Sequence, residues 1–165
     1  MGDIHLFSGA ATLGFKSKTM KLLRRTLPVL LLLAGLNAAA QSKNISKEKF
    51  HFQLGQQDTT GGYAQVVKVD NVLYVSGTVA TGITEKDLRH VYRVIEKSLQ
   101  HYGATMQNVV KETVFTTDIE AVKALNQVRK QLYNGDYPAS TWVQISRLFM
   151  PEAKLEIEVV AHLPR

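Results

Sequence analysis

The chain is expected to form an α+β domain of order ββαβαββ, with a single sheet and two helices laid on one of its faces. Three observations carry this expectation. Near the C-terminus, residues 140–146 and 155–162 alternate with the period of a strand. Residues 84–103 and 118–133 instead repeat apolar side chains at helical spacing. Turn-forming pairs, Asp70-Asn71 and Asn134-Gly135, separate the periodic segments. Helices on one face leave the other for solvent, a partner subunit or a ligand.

The chain of 165 residues suits one domain, residues 61–165, preceded by a leader. Lys21, Arg24 and Arg25 form a basic cluster, residues 27–36 an apolar run, and Asn37-Ala38-Ala39-Ala40 a small-residue cleavage region. These are the parts of a secretory signal peptide, with cleavage expected before Gln41. Met20 is the better initiator, which places residues 1–19 upstream of the true start. The apolar run falls short of the ~20 residues that span a bilayer, so a retained membrane anchor is the weaker reading. The expected product is exported, periplasmic or secreted. Removing residues 1–40 leaves 15 Lys+Arg against 13 Asp+Glu, so the basic balance belongs mostly to the leader and marks no nucleic-acid surface. With no cysteine, disulfides and thiolate chemistry are excluded.

Residues 41–60 are polar and aperiodic and read as a flexible lead-in. After the Gly61-Gly62 turn, residues 63–69 form a first strand, with Tyr63, Gln65, Val67 and Val69 on one face. Residues 72–76 return, and Gly77 allows close backbone approach. Thr84 and Asp87 resemble a capping box for the first helix, whose Leu88, Val91, Tyr92, Ile95 and Leu99 make one apolar face up to a Gly103 cap. A turn over residues 105–108 leads to a strand over 109–117, whose buried side the pattern leaves open. Asp118 caps a second helix, with Val122, Leu125, Val128 and Leu132 toward the core. In the final pair, Thr141, Val143 and Ile145 are assigned to the core with Leu155, Ile157, Val159 and Ala161. Ser140, Trp142, Gln144, Glu156 and Glu158 are assigned to the open face.

Few residues are arranged for chemistry. The five histidines lack paired ligand spacing, so no metal site is expected. Ser76-Gly77 is not a nucleophile elbow, and Gly61-Gly62 precedes a strand, whereas a phosphate-cradling loop opens a helix. Aromatic and basic residues do not interleave as on an RNA-stacking sheet. Glu156 and Glu158, ~6.5–7 Å apart on one strand face, could supply a general acid or base, but on the residues alone they read first as a solvated face or interface salt bridges. Asn126 reads as a surface residue and Trp142 as interface packing.

Several motifs, in order, resemble the YjgF/RidA (reactive intermediate deaminase) family. They are Gly62-Tyr63-Ala64-Gln65-Val66-Val67, Leu73-Tyr74-Val75-Ser76-Gly77, Val109-Val110-Lys111-Glu112-Thr113-Val114-Phe115, Tyr137-Pro138-Ala139 and Leu155-Glu156-Ile157-Glu158-Val159. The resemblance implies a chorismate-mutase-like fold and a homotrimer with clefts between subunits. It implies hydrolysis of an enamine or imine to a carbonyl compound and ammonia, without metal or organic cofactor. Cleft positions carried over are Tyr63, Ser76, Asn126, Ser140, Trp142 and Glu156, with Glu156 the catalytic acid or base. The match departs at Ser140, where the active branch has an arginine that pairs with the substrate carboxylate. The implied ligand is therefore a small metabolite other than 2-aminoacrylate. The alternative is a non-catalytic trimeric binding or interaction module with its cleft filled by Trp142. Neither reading involves nucleic acid.

Overall fold

The computed structural model describes residues 44–164. The leader expected over residues 1–40 lies outside the described residues. Among the described residues no helix is long and apolar enough to cross a membrane.

Among the described residues six strands form one sheet: β1 (Glu48–Phe50), β2 (Val66–Val69), β3 (Val72–Ala80), β4 (Val109–Thr116), β5 (Ala139–Gln144) and β6 (Leu155–His162). Their order is β1-β2-β3-β6-β4-β5, antiparallel throughout except that β5 runs parallel to β4. Three helices follow the expected cover: α1 (Glu85–Gln100), α2 (Ile119–Ala124) and α3 (Asn126–Tyr133). A π-helical turn spans Gly55–Thr60 and a 3-10 turn Met106–Asn108.

Local chemistry explains most boundaries. Thr84 accepts from the Asp87 amide while the Asp87 side chain takes the Thr84 amide, so both ends of the capping box are closed. Those bonds from Thr84 hold the Asp87 carboxyl below its ordinary range. Asp118 caps α2 through the amide of Ala121. Asp70 turns the β2–β3 hairpin with φ 52°, and Asn134 ends α3 with φ 49°. The expected face of α1 is buried in full at Leu88, Val91, Tyr92, Ile95 and Leu99. It packs on Leu73, Val75, Leu155, Ile157, Val159 and Ala161 from the sheet centre. Each such Leu, Ile or Val side chain contributes about 1.5–3 kcal/mol on burial.

The structure departs from the sequence reading in four places. First, residues 41–60 are not all a loose lead-in: Glu48–Phe50 adds an edge strand to β2, and Phe50 stacks on His101 with centroids 4.0 Å apart. Second, the first core strand begins at Val66, leaving Tyr63 ahead of it and 46% exposed. Third, the second helix breaks at Leu125, where φ −93° and ψ 5° leave the helical region. The break rotates α3, so that Arg129 and Tyr133, four residues apart on one stripe, turn inward while Val128 and Leu132 lie at the margin. Fourth, β5 faces the other way. In the parallel register Glu112 lies beside Ser140 and Val114 beside Trp142, which puts Ser140 and Trp142 on the helix side. Thr141 and Val143 are exposed on the open face instead of buried in the core.

Glu112 accounts for that reversal. It is fully buried on β4 and accepts four hydrogen bonds: from Tyr92 (2.6 Å), Tyr133 (2.7 Å), Arg129 Nε (2.7 Å) and Ser140 Oγ (2.7 Å). A buried carboxylate is tolerable only when paired and fully bonded, so the edge strand must turn its serine inward. Glu112→Ala is expected to cost ~3–5 kcal/mol by leaving Arg129 uncompensated. Glu85→Ala, which breaks a surface pair with Arg89, should cost at most ~0.5 kcal/mol. Urea unfolding of the two variants measures the difference.

Candidate functional site

The sheet has two chemically different sides, and the six residues singled out from sequence divide between them. On the open side, the β3–β6 register shifts between Val75 and Thr78, so Ser76 and Gly77 form a bulge. Glu156 sits opposite Val79, two residues on, with its carboxylate against Gly77. A Cβ at Gly77 would lie 2.6 Å from Glu156 Cδ and overlap Oε1, so only glycine admits the carboxylate there. The close approach expected at Gly77 is therefore used by this one side chain. Burial, and secondarily the neighbouring Glu158, raise the Glu156 carboxyl above its ordinary pKa.

Tyr63 and Ser76 belong to the same neighbourhood through two glutamines. Gln57 Nε2 donates to the Tyr63 hydroxyl (3.3 Å) and to Gln65 Oε1 (2.9 Å). Gln65 Nε2 in turn donates to the Ser76 carbonyl (3.3 Å), and Ser76 Oγ donates to the Ala64 carbonyl (2.7 Å). The Tyr63 ring rests against Gly61, where an added Cβ would come within 2.8 Å. Gln57 and Gln65 are buried and went unremarked as site residues in the sequence. Gln57 falls in the aperiodic stretch before the domain, and nothing in the pattern marks an amide there as structural. A hollow of about 650 Å³ opens beside them between Phe52, Gln56, Tyr63 and Phe149. Another of about 260 Å³ lies on the sheet face itself, lined by Tyr74, Ser76, Lys111, Thr113, Glu158 and Val160.

Asn126, Ser140 and Trp142 stand on the helix side, which corrects their expected place beside Glu156. Ser140 donates to Glu112 and accepts from the Trp142 indole (2.8 Å). The Arg129 guanidinium carbon lies 5.5 Å from the Trp142 ring and 5.0 Å from that of Tyr133. Asn126, one turn earlier on α3, is half-buried with its Oδ1 unpartnered among the described residues. Within the chain the two trios do not share a face. Among the described residues no cluster of three or more His, Asp or Glu is placed to hold a metal.

A single sheet with helices covering one face and a half-buried carboxylate on the other is an α+β fold of the kind the YjgF/RidA resemblance implies. The pattern of the family described as endoribonuclease L-PSP matches residues 55–163, and the chain belongs to that family. Among solved structures, it is similar to Rv2704 from Mycobacterium tuberculosis, a member of the YjgF family. That pair is 26% identical over 72% of this chain and 100% of the other, with a TM-score of 0.65. YyfA of the Rid family from Yersinia pestis is 31% identical over 62% of this chain and 89% of its own, with a TM-score of 0.58. A YjgF-family protein from Neisseria meningitidis, at 23% identity, 74% and 99% coverage and a TM-score of 0.62, shares the fold.

Two measurements test the Glu156 geometry. Its carboxyl resonance should titrate above the ordinary glutamate midpoint, and Glu158→Gln should move it only partway down, because burial is the larger cause. The sign follows. With the folded pKa raised, the group's favourable contribution to stability is complete below the unfolded pKa and is lost as pH rises through the folded one. Gly77→Ala should keep the fold, at a cost of ~1–3 kcal/mol, yet swing the carboxylate outward and return its midpoint toward the ordinary value. An unmoved midpoint in Gly77→Ala would show that the glycine does not hold Glu156 in place.

Proposed function

We propose that the chain assembles as a homotrimer and hydrolyses a small enamine or imine in clefts between its protomers, without metal or organic cofactor. The observation that carries this reading is the Glu156 carboxylate, held half-buried against Gly77 with a raised pKa. Self-association is supported by the open sheet face, where Tyr74 (50%) and Val143 (38%) remain exposed beside Val67, Phe115 and Val160. A shared cleft is supported by the division of the site: Tyr63, Ser76 and Glu156 of one protomer need an opposite wall, which Asn126, Ser140 and Trp142 of the next supply. Export from the cytoplasm, expected from the leader, belongs to the same proposal.

In the reaction Glu156, as a carboxylate, takes a proton from water while the water oxygen attacks the imine carbon. Nitrogen receives that proton to give a carbinolamine; Glu156 then takes the carbinolamine hydroxyl proton and passes it to nitrogen, so that the C–N bond breaks, the carbonyl forms and ammonia leaves. An enamine first takes a proton on carbon from the acid form of Glu156. A carboxyl raised by burial is better suited than an ordinary glutamate to serve in both directions. Ser76, whose hydroxyl is committed to Ala64, and Tyr63 shape the cleft without transferring the proton.

A cleft plugged by Trp142 gains less support, because the indole is engaged within its own protomer by Ser140 and Arg129. RNA cleavage, which the family description names, finds Lys111 bonded to Thr141 and flanked by Glu158 on the open face, without a basic array. The test is release of ammonia and carbonyl product from imines generated in situ, with light scattering to follow assembly. Glu156→Gln should lower turnover by about 10²-fold or more while the oligomer stays intact. An unchanged rate removes Glu156 from the chemistry, and absence of turnover across a broad imine panel favours the binding-module reading.

A further inference from the structure

The bulge that seats Glu156 is held by a neighbouring side chain. The register shift between Val75 and Thr78 takes Ser76 and Gly77 out of the β6 ladder, so their peptide groups need other partners. Ser76 finds three, all on the segment ahead of β2. Its N–H donates to the Gln65 carbonyl (2.9 Å), its hydroxyl donates to the Ala64 carbonyl, and its own carbonyl accepts from Gln65 Nε2 (3.3 Å). That carbonyl belongs to the planar peptide unit leading into Gly77, so the amide that holds it also sets where Gly77 lies.

Gln65 is held in turn by Gln57, the buried residue of the π-helical turn. The Gln57 N–H donates to the Gln53 carbonyl (2.9 Å), its carbonyl accepts from the Tyr63 N–H (3.0 Å), and its Oε1 accepts from the Gln53 N–H (3.1 Å). Backbone groups at both ends leave each side-chain amide one orientation. The Gln53 N–H can only donate, so it meets Gln57 Oε1; the Ser76 carbonyl can only accept, so it meets Gln65 Nε2. Gln57 Nε2 to Gln65 Oε1 is the bond that joins them. Both glutamines are buried, at 7% and 5% exposure, so water does not compete for the relay.

We propose that Gln57 is a positioning residue for Glu156, acting through Gln65 and the Ser76–Gly77 peptide on the seat of the carboxylate. The proposal rests on the acid–base reading of Glu156 only for its consequence in turnover. Gln57, Gln65 and Ser76 carry no charge, and the charge that acts on Glu156 is that of Glu158. A substitution at Gln57 therefore alters the Glu156 titration by moving the carboxylate.

Glu156 is titrated by NMR in the full protein without substrate. Gln57→Met, similar in length and without donors, should lower the midpoint toward the ordinary glutamate value as the carboxylate swings into water. It should also lower kcat by about tenfold or more with KM little changed, and the acid limb of the pH–rate profile should follow the midpoint. In a Gly77→Ala background, where the seat is already lost, Gln57→Met should add nothing to the midpoint. Tyr63→Phe cuts only the branch from Gln57 to the phenol and should leave the midpoint in place. An unmoved midpoint in folded Gln57→Met, additivity with Gly77→Ala, or an equal shift in Tyr63→Phe overturns the relay. If Gln57→Met fails to fold, the native protein decides: the Gln57 and Gln65 side-chain amides should exchange slowly and titrate with Glu156, and amides that do neither overturn the proposal. A moved midpoint in a protein without imine turnover keeps the relay and removes the catalytic reading, whereas an unmoved midpoint beside intact turnover does the reverse.

Discussion

The desolvated carboxylate of Glu112 is the constraint on which the arrangement of layers depends. Moving such a group out of water costs several kcal/mol, and here the offset comes from four donors on three other elements. Tyr92 belongs to α1, Arg129 and Tyr133 to α3, and Ser140 to β5. Burial, then Glu112 itself, raise both tyrosines far above the ordinary phenol pKa, so they remain donors at any pH the protein meets. Burial alone would lower the Arg129 pKa, and the Glu112 charge more than offsets that, so the guanidinium stays protonated. Helix positions, edge-strand orientation and the packing of Trp142 all follow from satisfying one side chain.

The other side of the sheet obeys a different logic. There the β3 bulge removes one residue from register, Gly77 removes one side chain, and the space is taken by Glu156. Apolar side chains around it are left uncovered, and the carboxyl is shifted without being sealed in. A saturated carboxylate thus organises the helix side, and an unsaturated one occupies the open side. The first is a structural charge because every lone pair is spoken for; the second retains the capacity to move a proton.

Much of this was legible in the sequence. The strict alternation of β6, the apolar stripe of α1 and the capping residues Thr84 and Asp118 each point to one local structure, and each is found. The glutamate on the open face of β6 follows from parity alone. Parity could not say which face of β5 is inward, because Ser140-Thr141-Trp142-Val143 offers a half-apolar set either way. The choice is made by Glu112, on a strand whose own alternation is ambiguous, and by Arg129, turned inward only once the helix breaks at Leu125. Buried polar networks of this sort are set by tertiary pairing and leave no period in the chain. Gln57 and β1 were missed for a related reason: short polar segments gain order from what they dock against.

The parallel pairing of β5 also sets how the shell of Glu112 is closed. Antiparallel neighbours can zip from a turn, whereas a parallel strand must wait for its crossover, here α2 and α3, to span the sheet. Closing that loop is entropically uphill until the strand lands. Ser140 therefore reaches Glu112 only across that crossover, whereas the other three donors come from helices packed on the sheet. The edge strand thus acts as a latch in space: the bond that completes the Glu112 shell is the one made across the longest connection.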